Sequence, residues 1–111
     1  MKTIDEMKPD IESAKPARKI VRRYKLSFSI CRQDVMMPEG AEILTARMDD
    51  DDLLLWAFVD AEAPSTVPRE IEIQSENFTV NAEVPRRFIA TAQTHHGSPC
   101  WHIFERLEYV Y

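Results

Sequence analysis

Leu53-Leu54-Leu55-Trp56-Ala57-Phe58-Val59 is seven residues long, apolar at every position and closed at both ends by aspartates. A run of that length is too short for a core helix and is bounded by turn formers, so it predicts a central β-strand buried on both faces. The four consecutive aspartates before it, Asp49 to Asp52, predict the tip of a hairpin. Its partner strand is Glu42 to Met48, which follows a Pro38-Glu39-Gly40 turn. A strand covered on both faces requires further sheet, so the segment points to a sandwich or a small barrel.

The rest of the chain supports an all-β reading. Tyr24, Leu26, Phe28 and Ile30 alternate with polar residues and predict one half-buried strand, with Arg22 and Tyr24 facing opposite to Arg23 and Lys25. Asp34 to Met37 adds a short strand. In 42–48, strict alternation places Ile43 and Thr45 on one face and Leu44, Ala46 and Met48 on the other. Residues 61–68 contain Pro64 and Pro68 and read as a surface connection, because proline cannot donate to a central ladder. Arg69 to Gln74 alternates again, and Asn77 to Val84 fits either a strand or an extended loop. In 87–94, Phe88, Ala90 and Ala92 share one face and Ile89, Thr91 and Gln93 the other. His95-His96-Gly97-Ser98 predicts a hairpin turn into a last strand, Cys100 to Glu105, with the aromatic tail 106–111 available to continue it. The expectation is a single antiparallel sandwich or barrel of six to seven strands over 19–111. Before it stands a leader, 1–18, weakly ordered or briefly helical through Ile4, Met7 and Ile11.

Composition narrows the function classes. A chain of 111 residues can bury a core without disulfides or metals. No apolar run approaches the roughly 18 residues that span a bilayer, and the N-terminus has no signal-peptide core, so the expected location is cytoplasmic. Cys31 and Cys100 then read as free thiols. Residues 1–24 hold seven Lys/Arg against four Asp/Glu; residues 25–111 hold seven against fifteen. An acidic body repels phosphates and attracts basic protein surfaces, although the same charge also serves simply as a soluble surface.

No chemistry-bearing constellation emerges. Consecutive aspartates point in different directions and lack the alternating acids and glycine of a calcium loop, leaving a solvated tip or an acidic contact patch. His95 and His96 diverge in a turn, and His102 stands apart in a strand, which does not make a zinc site. Cys100 and His102 share a strand face about 7 Å apart, too far for direct proton transfer. The isolated Gly40 and Gly97 cannot form a phosphate loop. The stretch Arg18 to Lys25 resembles a nucleic-acid patch, but a strand splits it between two faces. Trp56 and Trp101 fit core or sheet-face positions better than ligand stacking. No catalytic residue, metal or cofactor is expected.

Three blocks carry a resemblance. Met37-Pro38-x-Gly40-Ala41-x-Ile43-Leu44, Leu55-Trp56-Ala57-x-Val59-Asp60-x-x-Ala63-Pro64 and Thr91-x-Gln93…Gly97…Trp101-His102-Ile103-Phe104-Glu105 together resemble a family of small uncharacterised phage and prophage proteins, a domain of unknown function. The resemblance spans roughly residues 22–105. The leader and the extended acidic tip depart from the family pattern. The resemblance implies phage origin and expression in the host cytoplasm, and it carries over no catalytic residue.

Two functions from different classes are therefore expected. One is a non-enzymatic accessory protein that binds a host or phage protein with a basic surface, for example an inhibitor of an antiviral defence system. Asp49, Asp50, Asp51 and Asp52 would be its first contacts. The other is a sponge for a nucleotide signal, oligomeric in the expected case, with Arg86, Arg87 and Trp101 as the available pocket residues. A structural or morphogenesis role is a third.

Overall fold

A computed structural model of the chain describes residues 18–77, 79–94 and 100–107. Seven strands follow in order: β1 (Lys19–Leu26), β2 (Arg32–Pro38), β3 (Glu42–Asp49), β4 (Asp52–Asp60), β5 (Thr66–Gln74), β6 (Arg86–Gln93) and β7 (Cys100–Arg106). They form two antiparallel sheets, one ordered β1-β4-β3 and the other β2-β5-β7-β6. The described residues contain no helix, and none long and apolar enough to cross a membrane. Most of the leader, the 95–98 turn and the tail beyond Leu107 lie outside the described residues.

β4 is the central strand of its sheet, as its apolar run requires. Leu53, Leu55, Ala57 and Val59 alternate onto the inner face, where they meet Met37, Ile71 and Ile103 from the opposing sheet. Leu54, Trp56 and Phe58 take the outer face; Leu54 is buried and the two rings are half-buried. The described core is built from residues between Leu26 and Ile103.

Several local details differ from strict alternation. The first strand ends at Leu26 rather than Ile30. The Gln33 side chain binds the intervening turn, accepting from the Ser27 amide at 3.0 Å and donating to the Ser27 and Ile30 carbonyls at 2.9 and 3.0 Å. Phe28 and Ile30 are consequently exposed, and the Phe28 ring leans on Trp101, centroids 5.3 Å apart. β5 begins at Thr66 and includes Pro68, inside the 61–68 stretch expected as a surface connection. Pro68 pairs with Met36 on one side, but β7 pairs only with Ile71 to Gln74. At Pro68, β5 is locally an edge, where a missing N–H costs nothing.

Two bulges reset the faces. A shift between Ile43 and Thr45 makes Leu44 the extra residue of β3, so Ile43, Ala46 and Met48 all turn to the core. A shift between Phe88 and Ala90 does the same in β6, turning Ala90 and Ala92 inward and leaving Phe88 outside. Both bulges line the same seam, where β3 of one sheet comes closest to β6 of the other. Bulges bend and twist the strands that carry them, and here they let the sheets meet at a corner.

Candidate functional site

The aspartates sit at the tip of the β3–β4 hairpin. Asp49 and Asp52 form its last pair and Asp50-Asp51 its two-residue turn. Asp50 is left-handed at φ 54°, a conformation that Asp and Asn tolerate better than most side chains. Asp52 meets Lys25 at 3.2 Å. Asp49, Asp50 and Asp51 are exposed and have no ion-pair partner among the described residues. Among the described residues, three uncompensated carboxylates therefore project from a two-residue turn.

The outer face of the three-stranded sheet has the opposite character. Register places Lys19, Val21, Arg23 and Lys25 of β1 beside Asp60, Phe58, Trp56 and Leu54 of β4. Arg47 arrives from β3, opposite Leu54. Its guanidinium lies 5.0 Å from the Trp56 ring centroid, and the Lys19 amine 5.6 Å from that of Phe58. Each cation covers an aromatic face that would otherwise meet solvent. Splitting of the basic stretch between two faces holds, with Arg22 on the other side of β1, but Arg47 restores part of the loss.

Arg86, Arg87 and Trp101 do not converge. Arg86 lies on the outer face of the four-stranded sheet and forks onto Glu72, through Nε to Oε1 and Nη2 to Oε2 at 3.4 Å. Its Nη1 also donates to the Asn81 and Val84 carbonyls at 2.8 and 3.2 Å, which brings the 81–85 loop over the pair. Burial alone would push the Glu72 carboxyl up; the bonded guanidinium of Arg86 and the charge of Arg106 outweigh it and hold the carboxyl below its ordinary value. Arg87 is on the inner face at the sheet's end, mostly exposed, 3.4 Å from Glu105. Trp101 packs against the core toward the other end of β7.

Sequence reasoning missed a second arginine cluster. Arg69 points inward, forks onto the buried Glu105 through Nε and through Nη2 at 3.1 Å, and donates Nη1 to the Ala41 carbonyl at 2.7 Å. That bond reaches the start of β3 and ties the two sheets together. Because β7 stops pairing with β5 at Ile71, a cleft opens beyond it, lined by Arg32, Arg69, Arg87 and Arg106 with Asp34, Glu70 and Glu105. Arg106 is nearly covered, and its one ion pair among the described residues is Glu70 at 3.9 Å. Only the strand register brings these arginines together, so spacing along the chain carried no signal of them.

His102 bonds Thr91 through Nδ1 at 2.9 Å. His95 and His96 lie outside the described residues. No group of three or more His, Cys, Asp or Glu that could hold a metal occurs among the described residues. Cys31 is an exposed free thiol, and Cys100 a half-buried one that accepts from the Gln93 amide at 3.6 Å.

A two-sheet antiparallel domain with exposed charged surfaces defines the class of protein. The model of a domain of unknown function, DUF7352, matches residues 17–110, and the chain belongs to that family. No curated protein and no solved structure matches it.

Proposed function

We propose that this protein is a phage-encoded, non-enzymatic accessory factor that works in the host cytoplasm by binding another protein, with inhibition of an antiviral defence system as the specific role. The three-block resemblance supports the phage origin. The observation that carries the binding mode is the hairpin tip, with Asp49, Asp50 and Asp51 exposed and unpaired among the described residues. Like charges crowded on a turn repel one another and lower the stability of the free protein; a basic partner surface relieves that repulsion on docking. Neutralising the tip to asparagine preserves the left-handed turn, since Asn tolerates that backbone as well as Asp.

The test is a pull-down from host lysate with the parent chain and with D49N/D50N/D51N/D52N, followed by affinity measurement at low and high salt. The variant should bind the captured partner more weakly and with a flatter salt dependence. Equal affinity at both salt levels would sink the tip as the contact.

The arginine cleft favours a second reading, a sponge for a nucleotide signal. Four guanidiniums line it, although none of its described lining residues is aromatic, so recognition would rest on phosphate rather than base stacking. Thermal shift against a panel of linear and cyclic nucleotides tests it; stabilisation that survives Arg87→Gln and Arg106→Gln would rule the cleft out.

A further inference from the structure

The first strand combines features that the acidic tip does not explain. β1 pairs with β4 and, among the described residues, with no other strand, so one backbone edge is open. In eight residues it carries Lys19, Arg22, Arg23 and Lys25 and no acid. The surrounding body from residue 25 onward is acidic, seven Lys/Arg against fifteen Asp/Glu, so this concentration runs against the rest of the surface. Ile20 and Val21 are 42% and 57% exposed in the middle of it. Register puts Lys19, Arg23 and Lys25 on the outer face and Arg22 on the inner. A strand laid along this edge would meet cations on either side of its own pleat.

We infer that the open edge of β1 is a docking edge for an acidic, extended segment of another protein, added as a further strand over Lys19 to Tyr24. Such an addition supplies main-chain hydrogen bonds to the free edge, and side-chain pairs set its specificity. Acids opposite Lys19, Arg22 and Arg23 form favourable cross-strand pairs, and apolar residues between them cover Ile20 and Val21. Lys25 is already held by Asp52, which sets the end of the docking stretch.

The charge pattern selects among occupants. A second copy pairing through the same strand would bring arginine against arginine, which is destabilising. Single-stranded nucleic acid stacked on this face would need open aromatic rings, but Trp56 and Phe58 are already capped by Arg47 and Lys19. It would also meet Glu42 and Asp60, which flank Phe58. Lys and Arg on an edge also serve simply to prevent strand addition, and that role predicts no binding of an acidic strand.

The experiment follows backbone amide shifts of the full chain during titration with a synthetic peptide alternating Glu with Val. Parallel titrations use its Lys-for-Glu counterpart and oligo-dT. The acidic peptide should shift Lys19 to Tyr24 saturably and slow exchange of their amides. The R22E/R23E variant, both positions being exposed, should bind it about tenfold more weakly and accept the lysine peptide instead. The inference is overturned by no saturable shift, by an equal response from R22E/R23E, by oligo-dT moving the same amides in its place, or by those amides shifting with protein concentration alone. The tip variant D49N/D50N/D51N/D52N should bind the acidic peptide at least as well as the parent. Failure at the edge and failure at the tip are thus read separately.

Discussion

At the scale of single residues, the ionic pairs of the four-stranded sheet act as fasteners more than as ligands. Glu72 and Arg86 are both nearly covered, and the pair holds the 81–85 loop against the sheet. The carboxyl is held below its ordinary value. A group depressed in the folded state contributes stability that is fully present above its unfolded value, and this is lost as pH falls through the folded one. Glu72→Gln should therefore cost roughly 2–4 kcal/mol near neutral pH, because it removes the carboxylate that the nearly covered Arg86 guanidinium forks onto. The gap between parent and variant should narrow as pH drops below the ordinary glutamate range. Urea unfolding midpoints at pH 7 and at several lower values measure this; a gap independent of pH would show that the charge is not what holds the pair. Tyr24 is a converse case. Its hydroxyl is buried with no hydrogen-bond partner among the described residues, and such a group costs about 1–3 kcal/mol of lost hydration. Tyr24→Phe should unfold at higher urea than the parent, and a lower midpoint would mean that the hydroxyl is bonded in solution.

At the scale of elements, what was legible depended on whether a signal lay within one strand or between two. The 53–59 run carried its own evidence, since apolar residues at every position need cover on both faces. The Pro38 turn was equally local: the Ala41 amide bonds the Pro38 carbonyl at 3.1 Å, and Gly40 takes φ 83°, where a side chain would be strained. Leu44 and Ile89 were misread because a bulge adds one residue without disturbing the apolar count, and the pattern then changes face unannounced. The arginines of the cleft belong to β2, β5, β6 and β7, and no single segment shows that they meet. Arg86 and Arg87 look like a pair in sequence but face opposite ways on a strand. The hairpin tip was readable as position and charge, yet that Asp49 to Asp51 have no ion-pair partner among the described residues shows only in the structure. Relief of repulsion there should make D49N/D50N/D51N, which keeps the Lys25–Asp52 pair, slightly more stable than the parent, by about 0.5 kcal/mol, even as it loses partner affinity. A stability loss would instead assign the carboxylates a role in holding the turn.

At the scale of the whole molecule, the described core lies inside the stretch that the family model matches, which makes that stretch the candidate folding unit. Buried apolar side chains run from Leu26 to Ile103, and the match covers residues 17–110. The start of β1 is fixed from within this span: the Ala61 amide bonds the Arg18 carbonyl at 2.8 Å, and Arg18 pairs with Glu62 at 2.9 Å. The unit therefore carries its own first anchor. A chain shortened to begin at Ala17 should unfold in one cooperative step, with an unfolding free energy within about 1 kcal/mol of the parent, because no core member of the described domain is removed. Urea denaturation followed by tryptophan fluorescence reads the transition, since Trp56 reports on the three-stranded sheet and Trp101 on the four-stranded one. If the two sheets share one core, single-tryptophan variants should give coincident curves in both chain lengths. A transition that separates only in the shortened chain would show that the first sixteen residues hold the sheets together, and would move the boundary of the folding unit to include them.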